Sequence, residues 1–278
     1  MSVGDRRRGH TDDTRGQAAD EVNWGWKDNR RKIKSVVFED NVRAGSTTQN
    51  MFINCYYLET INFGGFDTTN VSNMASMFES CESLTSLDLS SFDTSNVTEM
   101  DYMFENCKSL TSLDLSSFDT SSVTYMHHMF SECENLTSLD LSSFDTSNVT
   151  YIGYMFKGCS TLTSLDLSSF DMSKVTNSAR MFVSCSSLER IYVKDASVNW
   201  NLSMNENSSN MFYGCTSLKG VKNGAVSEEN VYDGNRLDAS AAHVGMINGV
   251  QGYFTPLTQD TSLNSFPEFV NFTLDGII

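Results

Sequence analysis

Proline is almost missing from this chain: its 278 residues contain only Pro256 and Pro267. Everything before them is free to form hydrogen-bonded structure without interruption. Long apolar runs are missing too, since none approaches the roughly 18 residues needed to cross a bilayer. The opening stretch MSVGDRRRGHTDDTRGQAAD has basic residues but not the apolar core of a signal peptide, so neither an export signal nor an anchor is read here. Positive charge is scarce. Residues 1–34 hold nine Lys or Arg against six Asp or Glu, a net of +3, so the overall −16 places −19 on residues 35–278. A body of that sign argues against nucleic acid as a partner, because binding needs cations that displace the counterions of the phosphates. Catalytic machinery is not apparent. The four histidines are His10, His127, His128 and His243, and no nucleophile motif, glycine-rich phosphate loop or separate carboxylate pair accompanies them. The expectation is a noncatalytic protein without membrane insertion, catalytic residues or cofactor.

What the chain has in abundance is repetition. Met-Phe recurs at Met51, Met77, Met103, Met129, Met155, Met181 and Met211, at intervals of 26 five times and then 30. Four residues after each Met stands a Cys, at 55, 81, 107, 133, 159, 185 and 215, which accounts for all seven cysteines. A period of this size predicts a solenoid, each unit burying its apolar face against its neighbours.

Within one unit, LTSLDLSSF places Leu84, Leu87, Leu89 and Phe92 in the spacing L-x-x-L-x-L-x-x-F. That predicts a short strand with Ser86, Asp88 and Ser90 outward. After the turn formers DTSN come Val97, Met100, Met103, Phe104 and Cys107, at offsets of 3, 6, 7 and 10. This spacing predicts a short helix, capped by Asn96, with Glu99 completing a capping box. The predicted fold is therefore an α/β solenoid with one short parallel strand and one short helix per 26-residue repeat, the strands stacking about 4.8 Å apart. Ile33, Val36 and Phe38 start a degenerate first unit, and Leu218 and Val221 a last strand. The expected organisation is a flexible segment over 1–31, a solenoid of about seven units over 32–225, and a C-terminal cap and tail over 226–278, with GYFT at Gly252–Thr255 in the cap.

The L-x-x-L-x-L core, the SFDTSNVT turn and the MFxxC ending resemble the BspA-like leucine-rich repeats of bacterial surface proteins. The resemblance runs over roughly 33–221 and resumes in AHVGMINGVQGYFT from Ala242. It implies a leucine-rich-repeat-like solenoid that is secreted or carried on the cell surface. It also implies adhesion: a protein partner on a host, its matrix or another cell. A structural spacer or stalk without a specific ligand is the alternative. Carbohydrate binding is a second alternative, for which Trp24, Trp26 and Trp200 would have to form a platform.

Four sets of repeated residues are candidates for more than packing. The cysteine column reads as a reduced core ladder, with disulfides or metal as the other option. The phenylalanines at 66, 92, 118, 144 and 170, and at 52, 78, 104, 130, 156, 182 and 212, use 12 of the 18 in the chain and read as core spines. Asp67, Asp93, Asp119, Asp145 and Asp171 read as turn-forming carboxylates. Asp88, Asp114, Asp140 and Asp166 form an acidic strand face of stacked like charges. That face suits solvation, a basic partner or calcium, although one carboxylate per unit supplies few ligands. A Thr column at 85, 111, 137 and 163 is too interrupted by charge to make a flat ice-binding array. Where the units differ, binding specificity is expected. EMDY, YMHH, YIGY and NSAR precede successive Met-Phe pairs. Leaving out the inward Met100, Met126 and Ile152, they place Glu99, Tyr125 and Tyr151 in one column and Tyr102, His128, Tyr154 and Arg180 in another. Tyr, His and Arg are common binding anchors. The candidate binding residues are Tyr102, Tyr125, His128, Tyr151, Tyr154 and Arg180.

Overall fold

The computed structural model describes Trp24, residues 26–38, 42–193, 200 and 207–219, and the backbone of 220–222, 225–230, 246–247, 250–251 and 254–256. Each repeat is one rung of a solenoid. Leu84, Leu87, Leu89 and Phe92 are buried while Ser86, Asp88 and Ser90 are exposed, the alternation an extended segment requires. Paired strands form at the two ends of the array. β1 (Ser35–Val37) lies parallel to β2 (Thr60–Asn62), with Val36 opposite Ile61. β3 (Ser164–Asp166) lies parallel to β4 (Arg190–Val193), with Leu165 opposite Ile191. The matching segments of the three central units, around Leu87, Leu113 and Leu139, bury their leucines without forming paired strands. β5 (Lys219–Lys222) turns back antiparallel onto β6 (Ala225–Asn230), and β7 (Met246–Ile247) pairs antiparallel with β8 (Val250–Gln251). β9 (Phe254–Pro256) runs parallel to β4, with Phe254 opposite Ile191. Phe254 and Thr255 of GYFT thus sit where a further rung would continue the sheet; Gly252, Tyr253 and His243 lie outside the described residues.

The helix expected in each repeat is replaced by a coil of turns. No α-helix occurs among the described residues, and the one helical element is a single 3₁₀ turn, Lys27–Asn29. Met100, Tyr102, Phe104 and Asn106 donate their N–H groups to the carbonyls of Tyr125, His127, Met129 and Ser131 on the next rung, at 3.0, 2.9, 2.9 and 2.8 Å. Between them, Met103, Glu105 and Cys107 close tight turns on Met100, Tyr102 and Phe104. An α-helix would spend these donors on its own carbonyls, leaving neighbouring rungs joined by side chains alone. The coil instead sends every second N–H across the gap. It does so by entering the left-handed region at every fourth residue, as at Tyr102 (φ 58°) and Asn106 (φ 58°), then His128 (φ 60°) and Glu132 (φ 59°). Val97, Met100, Met103, Phe104 and Cys107 are all buried as the spacing demands; offsets of 3, 6, 7 and 10 simply suit both geometries. Asn96 caps no helix. Its side-chain amide donates to the Thr69 carbonyl of the preceding rung at 2.9 Å.

Three buried columns lock the rungs together. Phe52, Phe78, Phe104, Phe130, Phe156, Phe182 and Phe212 stack with centroids 5.5 to 5.8 Å apart. Each thiol from Cys81 to Cys215 donates to a Phe carbonyl of the rung before, as Cys107 Sγ does to Phe78 at 3.2 Å. All seven cysteines are free and buried, and burial pushes the Cys55 thiol up to about 11 and Cys133 to about 12. The third column is threonine. Thr68, Thr94, Thr120 and Thr146 each use one buried hydroxyl to accept the N–H of the next rung's Asp and to donate to its carbonyl.

The coil's direction leaves carbonyls at its N-terminal end with no rung to satisfy them. Trp24 Nε1 donates to Gln49 O at 3.0 Å and Trp26 Nε1 to Met51 O at 2.8 Å. These carbonyls hold the positions that accept N–H groups in every later rung. The Trp26 ring continues the Phe stack, 5.6 Å from Phe52, and Trp24 stacks on Trp26 at 5.7 Å. The tryptophans are thus a cap turned onto the core rather than a carbohydrate platform, and Trp200 is itself buried.

Candidate functional site

The coil sets its own local requirements, and the end rungs meet them with small polar residues. In the column Thr47, Asn73, Glu99, Tyr125, Tyr151, Asn177 and Asn207, consecutive members pair as parallel bridges. Thr47, Asn73, Asn177 and Asn207 each accept the N–H two residues onward on a side-chain oxygen, at 2.8 to 3.2 Å. The left-handed column reads Asn50, Ser76, Tyr102, His128, Tyr154, Arg180 and Asn210. Asn tolerates positive φ, whereas for bulky side chains it is unfavourable. In both columns the central rungs replace the residue the backbone favours with a large one.

Those large residues form a continuous surface. Tyr102 stacks on His128 with centroids 4.6 Å apart, and His128 on Tyr154 at 4.4 Å. Arg180 completes the row, its guanidinium carbon 5.5 Å from the Tyr154 ring centroid and Nη1 donating to Tyr154 OH. Beside this row, His127 meets Tyr102 and Tyr151 edge-on, each at 4.8 Å. Tyr125 is 44% exposed and Tyr151 half-buried. All six candidate binding residues therefore lie on one face, in the two columns expected, though on turns rather than helices.

The electrostatics of this face involve groups the column reading passed over. His127 is held neutral, its pKa pushed down to about 3 by burial and then by His128; its buried Nδ1 has no hydrogen-bond partner. Asp101, on the preceding rung in the same column, is pushed up to about 6, chiefly by burial, with Glu99 and Glu79 adding repulsion. His128 Nδ1 lies 3.2 Å from Glu105 Oε1. Aligning the four variable quartets residue by residue would have flagged Asp101, His127, Gly153 and Ala179 as a third varying column between the two chosen.

The acidic strand face has local partners. Asp88 Oδ1 accepts the Ser90 N–H at 3.0 Å and its hydroxyl at 2.7 Å, and Asp114, Asp140 and Asp166 accept N–H groups from Ser116, Ser142 and Ser168. These hydrogen bonds hold the Asp88 and Asp114 carboxyls below the usual range, although Asp88 repels Asp114. This column thus forms turns much as Asp67, Asp93, Asp119, Asp145 and Asp171 do. Among the described residues, no group of three His, Cys, Asp or Glu is placed to hold a metal ion.

Residues 29–113 and 109–224 match the family model described as Mycoplasma protein of unknown function, DUF285. The chain belongs to the DUF285 family. No curated protein matches this DUF285 chain. Among solved structures it is similar to a leucine-rich repeat protein from Bacteroides ovatus ATCC 8483, 18% identical, covering 69% of this chain and 67% of that one, with a TM-score of 0.26. It is also similar to a chain of a TLR13–ssRNA13 complex, 16% identical over 68% of this chain and 36% of that one, with a TM-score of 0.21. Scores that low carry no argument about shape or partner. The repeat architecture rests on the DUF285 chain's own rungs.

Proposed function

We propose that this DUF285 chain is a noncatalytic, cofactor-free protein-binding scaffold displayed at a cell surface. It holds a protein partner of a host, its matrix or another cell against the stacked face of Tyr102, Tyr125, His128, Tyr151, Tyr154 and Arg180. One observation carries this reading: in two columns of the coil the central rungs give up the small polar residue that the backbone favours, while Thr47, Asn50, Asn73, Ser76, Asn207 and Asn210 keep one toward the two ends. Departures from local rules that cluster in one patch are where function is expected. Adhesion is the activity that such a patch on a rigid, extended scaffold serves best. The test is a variant with Tyr125, His128, Tyr151 and Tyr154 all changed to Ala, compared with wild type in pull-downs from matrix and cell-surface preparations. Loss of the captured partner with the thermal melt retained is expected; undiminished capture by a folded variant refutes the assignment.

A further inference from the structure

Among the described residues of the solenoid body, five basic side chains pair with carboxylates. Lys34 pairs with Glu59, Arg43 with Asp67, Lys108 with Glu82, Lys157 with Glu132 and Lys219 with Glu189. With 35 acidic residues against 19 basic ones, such pairing is what the composition predicts. The N-terminal turn departs from it. Lys27, Arg30, Arg31 and Lys32 line a groove with Asn54 and Tyr56, Asp28 being its acidic member. A second groove, sharing Arg31 and Tyr56, is lined also by Tyr57, Glu82 and Ser83. Arg31 and Lys32 are exposed and form no ion pair among the described residues. Arg30 donates through Nη2 to Asn50 O at 3.3 Å, and its buried Nε has no acceptor.

We propose that this trough docks an acidic, extended segment of a protein partner. The Arg31 guanidinium lies 5.6 Å from the Tyr56 ring centroid, a stacking that presets its planar fork for two-point contact with a carboxylate. Two abutting grooves sharing Arg31 and Tyr56 make a trough that fits a run of chain better than a compact ion. Tyr57, 57% exposed, offers an apolar flank for the segment's backbone and side chains. The stretch lined by Tyr57, Ser83 and the Lys108-paired Glu82 adds no net positive charge, so a uniform polyanion such as a nucleic acid strand gains nothing there, while a peptide needs acidic groups only over the cationic half. The trough shares no residue with the aromatic face, so variants in one test it without altering the other.

The probe is fluorescein-labelled hexaglutamate, titrated with the full chain and followed by fluorescence anisotropy, with labelled hexaglutamine as the neutral control. Binding that weakens with added salt is expected. The double variant R31E/K32E should lower affinity by at least about tenfold with the thermal melt unchanged, both side chains being exposed. K32Q alone should give a smaller loss in the same direction. Equal affinity of wild type and R31E/K32E, equal binding of hexaglutamine, or displacement by inorganic pyrophosphate at lower concentration than by unlabelled hexaglutamate overturns the proposal.

Discussion

Thr120→Val isolates what the buried threonine column contributes. Thr120 is fully buried; its Oγ1 donates to Asp145 O at 3.0 Å and accepts the Asp145 N–H at 2.8 Å. Valine keeps the shape and removes both bonds at once. A typical hydrogen bond contributes a net of about 1 kcal/mol, but removing one partner leaves the other unsatisfied at a cost of about 1–3 kcal/mol. Two backbone groups of Asp145 lose their partner together, so the expected loss is about 3 kcal/mol. Thr120→Ser keeps the hydroxyl and loses one methyl group, an expected loss of about 1 kcal/mol. Urea denaturation followed by circular dichroism measures both, with the slope expected to stay constant. A Thr120→Val variant within about 0.5 kcal/mol of wild type, or one no worse than Thr120→Ser, would refute the view that these hydroxyls join the rungs.

Further outcomes follow from the other columns. The thiol reagent DTNB should label none of the seven cysteines in the native protein and all seven in denaturant; fast native labelling would contradict the buried ladder. Asp101→Asn should stabilise the protein at pH 7.5, because the folded-state pKa of about 6 lies above the ordinary 3.8. The carboxylate is disfavoured on folding, so the penalty is absent below pH 4, grows as pH rises to 6 and is complete above it; a shift of this size corresponds to about 2–3 kcal/mol at most. Equal melts of Asp101→Asn and wild type at pH 7.5 would refute this. The turn-forming Asp67, Asp93 and Asp119, with lowered pKa values, contribute stability that is present above pH 4 and lost as pH falls through their folded-state values. Trp26→Ala removes the cap's stacking on Phe52 and its bond to Met51 O. Hydrogen exchange should then accelerate in the first rungs, at Asn50 and Phe52, and not at Phe156, since repeat arrays respond locally; uniform acceleration would contradict a local cap.

Much of this was legible in the residues themselves. The Met-Phe register set the rungs, and L-x-x-L-x-L set which side chains face inward. The stacked columns of variable residues followed from the 26-residue interval alone, as Tyr102, His128 and Tyr154 demonstrate. The turn coil is not legible there, because a burial pattern of 3, 6, 7 and 10 does not say which carbonyl each N–H will use. A signal was present at the residue before each cysteine. Asn54, Ser80, Asn106, Glu132, Gly158, Ser184 and Gly214 include two Gly and two Asn, residues that favour the left-handed region and weaken a helix. The inward turn of Trp24 and Trp26 was beyond reach, since it depends on carbonyls left unpaired only once the coil's direction is known.

The central claim is that the turn face, and not the acidic strand face, meets the partner. Photo-crosslinking tests it most directly, with benzoylphenylalanine replacing either Tyr125 on the turn face or the exposed Ser112 on the strand face. The DUF285 chain carrying each probe is irradiated with matrix and cell-surface preparations. A discrete crosslinked product is expected from position 125 and none from position 112. Crosslinking from 112 alone would contradict it.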